Sequence, residues 1–198
     1  MQSVDDPAPA APDREATGVV VLVLASGRGE RFRASGGQVH KLQALLAGRT
    51  VLARTLDAVR GSGLAWHLED AGHPGMGDSI AAAVRATRGA AGWLVLPGDL
   101  PLVLPQTLCA VAAALRDHPV VVPVVRGRRG HPVGFSAACG DALAALSGPQ
   151  GAVAVLKTRD FHEVAVDDAG CITDIDTLDD LRAAHQLLAE REAGGGVV

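Results

Sequence analysis

Leu22-Val-Leu-Ala-Ser-Gly-Arg-Gly-Glu-Arg-Phe32, followed nine residues later by Lys41, is a strand that runs into a Gly-rich basic loop. The stretch from Gly18 to Leu24 is almost wholly valine and leucine, the pattern of a strand buried on both faces of a parallel sheet. Gly27 and Gly29 let the backbone turn its N–H groups toward a ligand with no Cβ in the way. Arg28, Arg31 and Lys41 add positive charge for an anion held there. The spacing is neither Gly-x-Gly-x-x-Gly nor a Walker A motif, so dinucleotide oxidoreductases and P-loop hydrolases both fit poorly. Taken alone, the loop reads either as a triphosphate cradle or as a strand ending in a solvated basic turn.

Outward from this loop, strand and helix patterns alternate, which favours a layered α/β sheet. Thr50 is placed to cap a helix carrying Val51, Leu52, Leu56 and Val59 on one side, with Gly61 and Gly63 ending it. A short apolar piece, Leu64 to Leu68, leads to Gly-His-Pro-Gly-Met-Gly at 72–77, and a helix is expected from about Asp78 to Arg88. A second buried strand, Gly92 to Leu96, ends at Pro-Gly-Asp-Leu-Pro, 97–101. Leu104, Leu108, Val111 and Leu115 form a helical stripe. Val120 to Val125 is a third strand, which Pro123 assigns to an edge or a bulge. The turn 126–130 precedes His-Pro-Val-Gly-Phe. A short helix near 150–157, a strand from Phe161 to Val166, and a last helix with Thr177 and Asp180 spaced as a capping box complete the chain.

Composition narrows the function. The chain has 198 residues, enough for one substantial α/β domain. A net charge of −4, aromatics at 3% and no Tyr argue against nucleic-acid binding and base-stacking platforms. Three cysteines without metal-type spacing read as small core residues of a reducing compartment. No segment has the length and apolarity of a membrane span. Residues 1–17, rich in Pro and Ala with no apolar signal region, are expected to be a disordered tail. Residues 194–198 are expected to be frayed, leaving one domain over 18–193 in a cytoplasmic protein.

Two acidic motifs sit where strands hand over to the next element. Asp99 lies at the carboxyl end of a strand, the edge where open α/β sheets bind ligands. Asp174 and Asp176 alternate around Ile175 and point to opposite faces if extended. Mg²⁺ bridging nucleotide phosphates takes one or two protein carboxylates plus waters, a requirement that Asp99 with Asp176 meets. The alternative is a turn at Asp99 and a helix cap at Asp174 or Asp176. Gly75-Met76-Gly77-Asp78-Ser79 precedes a helix, so its N–H groups either hold an anion or base edge, or are capped by Asp78 or Ser79. His131, behind Arg126, Arg128 and Arg129, is placed either to contact a phosphate-bearing substrate or to serve a structural or surface role. No Ser/His/Asp or Cys/His arrangement suggests a covalent nucleophile.

In this order, Leu-Ala-Ser-Gly-Arg-Gly-Glu-Arg-Phe with Lys41-Leu42, Gly-Met-Gly-Asp-Ser, Leu-Pro-Gly-Asp-Leu-Pro, Gly-Arg-Arg-Gly-His-Pro-Val and Asp-Ile-Asp-Thr resemble the MobA-like NTP transferases, the nucleotidyltransferases of the molybdenum-cofactor type. The matching stretches lie within residues 20–188. The Gly-His-Pro-Val and Asp-Ile-Asp-Thr wording resembles the cytidylyltransferase branch most. The resemblance implies a three-layer αβα sandwich with a mostly parallel, mixed sheet of the nucleotide-diphospho-sugar transferase type. It also implies transfer of CMP from CTP to molybdopterin with release of pyrophosphate and dependence on Mg²⁺. A molybdenum hydroxylase would receive the product.

By the same resemblance Ala25, Gly27, Arg28, Arg31 and Lys41 belong to nucleotide binding, with Arg28 and Lys41 catalytic and Lys41 stabilising the transition-state charge. Gly75, Met76 and Ser79 would lie near base and ribose, Asp99 and Asp176 would hold Mg²⁺, and His131 and Arg129 would face molybdopterin. Two departures stand out. Family members place a complete strand–helix unit between the first helix and the Gly-Met-Gly loop, where only residues 61–74 stand here, so one such unit is expected to be missing. Ser26 stands where the cytidylyl branch commonly has Ala and the guanylyl branch Gly. GTP in place of CTP, another phosphorylated acceptor, and a non-catalytic carrier of the cofactor are the alternatives.

Overall fold

A computed structural model of the chain describes residues 18–194. The expected tail at 1–17 and the end at 195–198 lie outside the described residues. The strands are β1 Val19–Leu24, β2 Leu45–Leu46, β3 Arg49–Thr50, β4 Ala65–Glu69, β5 Gly92–Pro97, β6 Val120–Val125, β7 Arg128–Arg129, β8 Val133–Ser136 and β9 His162–Ala165. The helices are α1 Glu30–Ala34, α2 Val51–Gly61, α3 Met76–Ala86, α4 Pro105–Ala114, α5 Gly140–Ala144, α6 Val153–Lys157 and α7 Leu178–Gly194. Seven strands form one sheet in the order β4-β1-β5-β8-β6-β7, with β9 also paired to β6. β4, β1 and β5 run parallel to one another, as do β6 and β9, while β7 and β8 run antiparallel to their neighbours. A separate ribbon joins β2 to β3.

Alternation along the central strands builds two cores. Val21, Val23, Leu94 and Leu96 face α2 and α4, packing on Leu56, Val59, Leu108 and Val111. Val20, Leu22, Trp93 and Val95 face the other way, against Ile80 and Val84 of α3, Leu143 of α5 and Val155 of α6. The result is helix, sheet, helix, as the all-apolar β1 and β5 require: both faces of a central parallel strand must be covered. Residues 61–74 supply the outer strand β4 and reach α3 with no helix between.

Local chemistry sets the helix ends. The Thr50 hydroxyl accepts from the Ala53 N–H and starts α2. At α7 the Thr177 hydroxyl accepts from the Asp180 N–H while the Asp180 carboxylate accepts from the Thr177 N–H at 2.7 Å, a completed capping box. Arg126 (φ 50°) and Gly127 (φ 75°) form the two-residue turn between β6 and β7, the turn whose twist matches a hairpin.

Pro123 stands beside a bulge, one of the two places its presence in a strand predicts, and not at an edge: β6 is paired on both sides, and the extra residues lie in the opposite strand. Between the pairs Val124↔Arg129 and Val121↔Gly134, three steps of β6 face five of its partner. The partner ladder breaks beside Pro123, whose carbonyl accepts from Gly130 N–H at 2.8 Å. The bulge carries Gly130, His131 and Pro132 off the ladder. Helix α3 begins at Met76 rather than Asp78, with Gly75 as its cap residue and no side-chain cap bond.

Candidate active site

The carboxyl ends of β1 and β5 lie side by side, because Leu24 pairs with Pro97. Two loops therefore leave the sheet at one place. Gly98 donates its N–H to the Leu24 carbonyl at 2.9 Å, and a Cβ on it would stand 3.0 Å from that oxygen, a tight contact that a glycine avoids where Asp99 turns in beside the basic loop.

A third apolar cluster, apart from the two sheet cores, positions the charges. It holds Phe32, Leu42 and Ile175, together with Leu46, Val51, Leu102 and Ala184. Each of the first three is buried and adjoins a charged residue: Arg31, Lys41 and Asp176. The Ile175 N–H also donates to the Asp99 carbonyl at 3.0 Å. Burying these anchors brings four charged groups from four chain segments together.

Lys41 Nζ lies 2.5 Å from Asp99 Oδ2 and 2.7 Å from Asp176 Oδ1, and Arg31 lies 2.5 Å from Asp176 Oδ2. The Lys41 and Asp99 side chains are each 13% exposed, that of Asp176 20%, that of Arg31 78%. Burial works to lower the Lys41 pKa, but the Asp99 charge and the bonds to both carboxylates outweigh it and raise it above the ordinary lysine value. Asp99 Oδ1 is buried with no hydrogen-bond partner among the described residues. It is an anionic oxygen with unused capacity beside an ammonium ion.

Two clefts meet at this group. One, of ≈ 330 Å³, runs between the basic loop and α3, with Ser26, Gly27, Arg28, Gly75, Met76 and Ser79 in its walls. The other, of ≈ 350 Å³, runs toward the β6–β7 hairpin, with Arg31, Arg128, Arg129, His131, Asp174 and Asp176. Lys41 and Asp99 line both.

The predicted residues are thus gathered at one sheet edge, with some redistribution. Arg31 turns to Asp176 and the second cleft rather than joining Gly27 and Arg28. Ala25 lies beneath the loop, packed against the third apolar cluster, with its N–H on the Glu69 carbonyl. The glycines at 75 and 77 answer a packing need: a Cβ on either would meet the backbone at 147–148 at 2.4 to 2.8 Å. Asp78, instead of capping α3, accepts from the Gly148 N–H at 2.9 Å. The Ser79 hydroxyl bonds that of Ser26 at 2.6 Å, tying α3 to the basic loop. Asp174 is exposed while Asp176 turns inward. His131 is largely buried, and burial pushes its pKa below the usual histidine value against the opposing charges of Asp99 and Asp174. Its Nδ1 has no hydrogen-bond partner among the described residues. Arg129 is paired to Glu163 at 2.8 Å and lies over the Phe161 ring.

Sequence reasoning missed His73 and Pro149 in the first cleft. His73 Nε2 lies 3.0 Å from the buried Glu69 carboxylate at the end of β4. Its place two residues before Gly75 was the available signal. Among the described residues no cluster of three or more His, Cys, Asp or Glu could hold a metal ion, and no helix is long and apolar enough to cross a membrane.

Residues 57–165 match the family model for the MobA-like NTP transferase domain. The chain is 34% identical over 130 residues to a 2-C-methyl-D-erythritol 4-phosphate cytidylyltransferase of Frankia casuarinae, a match covering 54% of this chain and 48% of that protein. It thus spans about half the length of that curated relative. Rv0371c of Mycobacterium tuberculosis superposes with a TM-score of 0.73 at 26% identity, over 86% of this chain and 98% of that one; that protein has also been solved in complex with manganese (TM-score 0.66, 24% identity, 86% and 99% covered). Molybdopterin-guanine dinucleotide biosynthesis protein A of Archaeoglobus fulgidus shares the fold at a TM-score of 0.64 and 18% identity, over 86% and 99% of the two chains. The fold is that of the nucleotide-diphospho-sugar transferases, and the chain belongs to the MobA-like NTP transferase family of nucleotidyltransferases.

Proposed function

We propose that the protein transfers CMP from CTP to the phosphate of molybdopterin and releases pyrophosphate. The observation that carries this reading is the position of Lys41 and Asp99 at the junction of two clefts. A group-transfer site needs a donor and an acceptor to meet at one reacting atom, and on this reading the α-phosphorus sits at that junction.

In the reaction an oxygen of the acceptor phosphate attacks the α-phosphorus, the bond from the α-phosphorus to the bridging oxygen breaks, and pyrophosphate leaves with that oxygen. The attacking phosphate is already an anion, so no general base is required, and charge neutralisation and positioning supply the catalysis. Gly27 and Arg28 take the triphosphate, Lys41 takes the charge that develops at the α-phosphate, and Gly75, Met76 and Ser79 flank base and ribose. His131 and Arg129 stand on the acceptor side. Burial pushes His131 below the usual histidine value, and its Nδ1, without a partner among the described residues, is available for a hydrogen bond.

Asp99 and Asp176 are the residues to hold a divalent cation such as Mg²⁺, and the unpartnered buried Asp99 Oδ1 fits a hard cation. When bound, the cation adds charge neutralisation on the phosphates. The cytidylyltransferase relative supports CTP as donor. On this reading the product passes to a molybdenum hydroxylase.

A second reading, CMP transfer to a small phosphorylated polyol, is favoured by the name of that relative. A pure cofactor carrier is disfavoured by a lysine held between two carboxylates, which carriage does not call for. The test is pyrophosphate release from purified protein with Mg²⁺, molybdopterin, and CTP or GTP in turn. Release with CTP supports the proposal, release only with GTP overturns the base, and release with neither from folded protein overturns the reaction.

A further inference from the structure

A third cavity, of ≈ 320 Å³, opens beside the two clefts on the α3–α6 side of the sheet. Its walls are Leu24, Ile80, Val95, Val122, Phe135 and Leu156. It is open to solvent at its rim, and its volume is close to that of each of the other two clefts. Its apolar walls offer water few partners. It joins the reaction centre: Arg129, Gly130 and His131 line both it and the second cleft, and Met76 and Pro97 line all three spaces. At its rim stand Met76, 50% exposed, and Val153, 44% exposed. These are two of the four large apolar side chains left exposed among the described residues. The one buried polar atom of its lining without a partner is His131 Nδ1.

A mostly apolar cavity of this size with a few polar groups at one side is the ordinary form of a small-molecule site. We infer that it receives the body of the acceptor, so that the substrate is a phosphate monoester whose body presents an apolar face, as the fused rings of molybdopterin do, rather than an open polyol. The inference rests on transfer to a phosphate ester as proposed above. The acceptor phosphate then lies in the second cleft near Arg31 and Lys41, with its body passing Pro97 and His131 into the cavity. On the way His131 Nδ1, buried and without a partner among the described residues, is free to take a polar contact, and Arg129 and Gln150 also line the cavity. The bulge that lifts Gly130 to Pro132 off the ladder makes this passage.

The experiment compares n-hexyl phosphate, glycerol phosphate and inorganic phosphate, each titrated calorimetrically into the full chain with Mg²⁺. All three carry the same anion, so their differences report the body alone. Hexyl phosphate is expected to bind at least about tenfold more tightly than the other two, because several methylene groups leave water. Val153→Glu at the rim should remove that gain and leave inorganic phosphate binding unchanged; Ala152→Phe, which narrows the cavity, should do the same by bulk. Equal binding of the three probes, or a gain that survives in both folded variants, overturns the inference. Pyrophosphate release from CTP is followed in parallel. A hexyl preference without release from any acceptor sustains the cavity and sinks the transferase reading. Release with glycerol phosphate and no hexyl preference does the reverse.

Discussion

Replacing Lys41 by Met keeps the length and apolar stem of the side chain and deletes the ammonium. Asp176 retains Arg31, but Asp99 loses the only side-chain partner it has among the described residues and stays 13% exposed. Breaking a fully buried ion pair from one side costs about 3–5 kcal/mol; this pair keeps some solvent contact, which places the expected loss at about 2–3 kcal/mol. Adding Asp99→Asn removes the stranded charge, so the double variant is expected within about 1 kcal/mol of the parent, a coupling that a double-mutant cycle isolates. Urea unfolding at pH 7, read by the fluorescence of Trp66 and Trp93, measures all three proteins. A Lys41→Met variant within about 0.5 kcal/mol of the parent, the range of ordinary surface changes, would refute the argument that this cation holds the site together.

Further outcomes follow from the same geometry. Ile175→Ala empties a fully buried position and should cost about 2–4 kcal/mol; because Ile175 braces Asp99 and adjoins Asp176, pyrophosphate release should fall well below that of a Leu143→Ala variant of equal stability. Equal rates in the two would contradict the positioning role of Ile175. A lysine whose folded pKa is raised contributes stability that is complete below the unfolded value of 10.5 and is lost as pH rises through the folded value. The difference in Tm between the parent and Lys41→Met should therefore shrink as pH rises above the unfolded value of 10.5. That comparison cancels the thiols, which titrate in both proteins. Cys109 is exposed while Cys139 and Cys171 are buried, and burial pushes the Cys171 thiol up to about 11. A thiol reagent at pH 8 should label one cysteine in the folded protein and three in urea.

The layered fold was legible because β1 and β5 are continuous apolar runs and the caps at Thr50 and Thr177 use side chains whose preference is local. The charged group was legible only as separate pieces. Nothing in the spacing of Arg31, Lys41, Asp99 and Asp176 says that they meet; they meet because Phe32, Leu42 and Ile175 share one apolar cluster, a long-range fact with no local pattern. The beginning of α3 was misjudged for a related reason. Asp78 carries the chemistry of a cap, but the loop at 147–148, distant in sequence, takes its carboxylate and demands glycine at 75 and 77. Pro123 signals the bulge beside it, because a proline marks a missing ladder bond, but it does not say that the extra residues lie in the partner strand. His73 escaped notice because its partner Glu69 ends a strand too short and too polar to signal burial.

The central claim is that Lys41, and Asp99 through the cation it would hold, neutralise charge at the phosphorus transferred between the two clefts. Its most direct test is the rate of pyrophosphate release from CTP with a phosphate-ester acceptor, in the parent and in folded Asp99→Asn and Lys41→Met proteins at saturating nucleotide. Loss of one preorganised charge at the reacting group predicts a fall of about 10²–10³ in kcat for each variant. Rates within a few-fold of the parent in both would contradict the account.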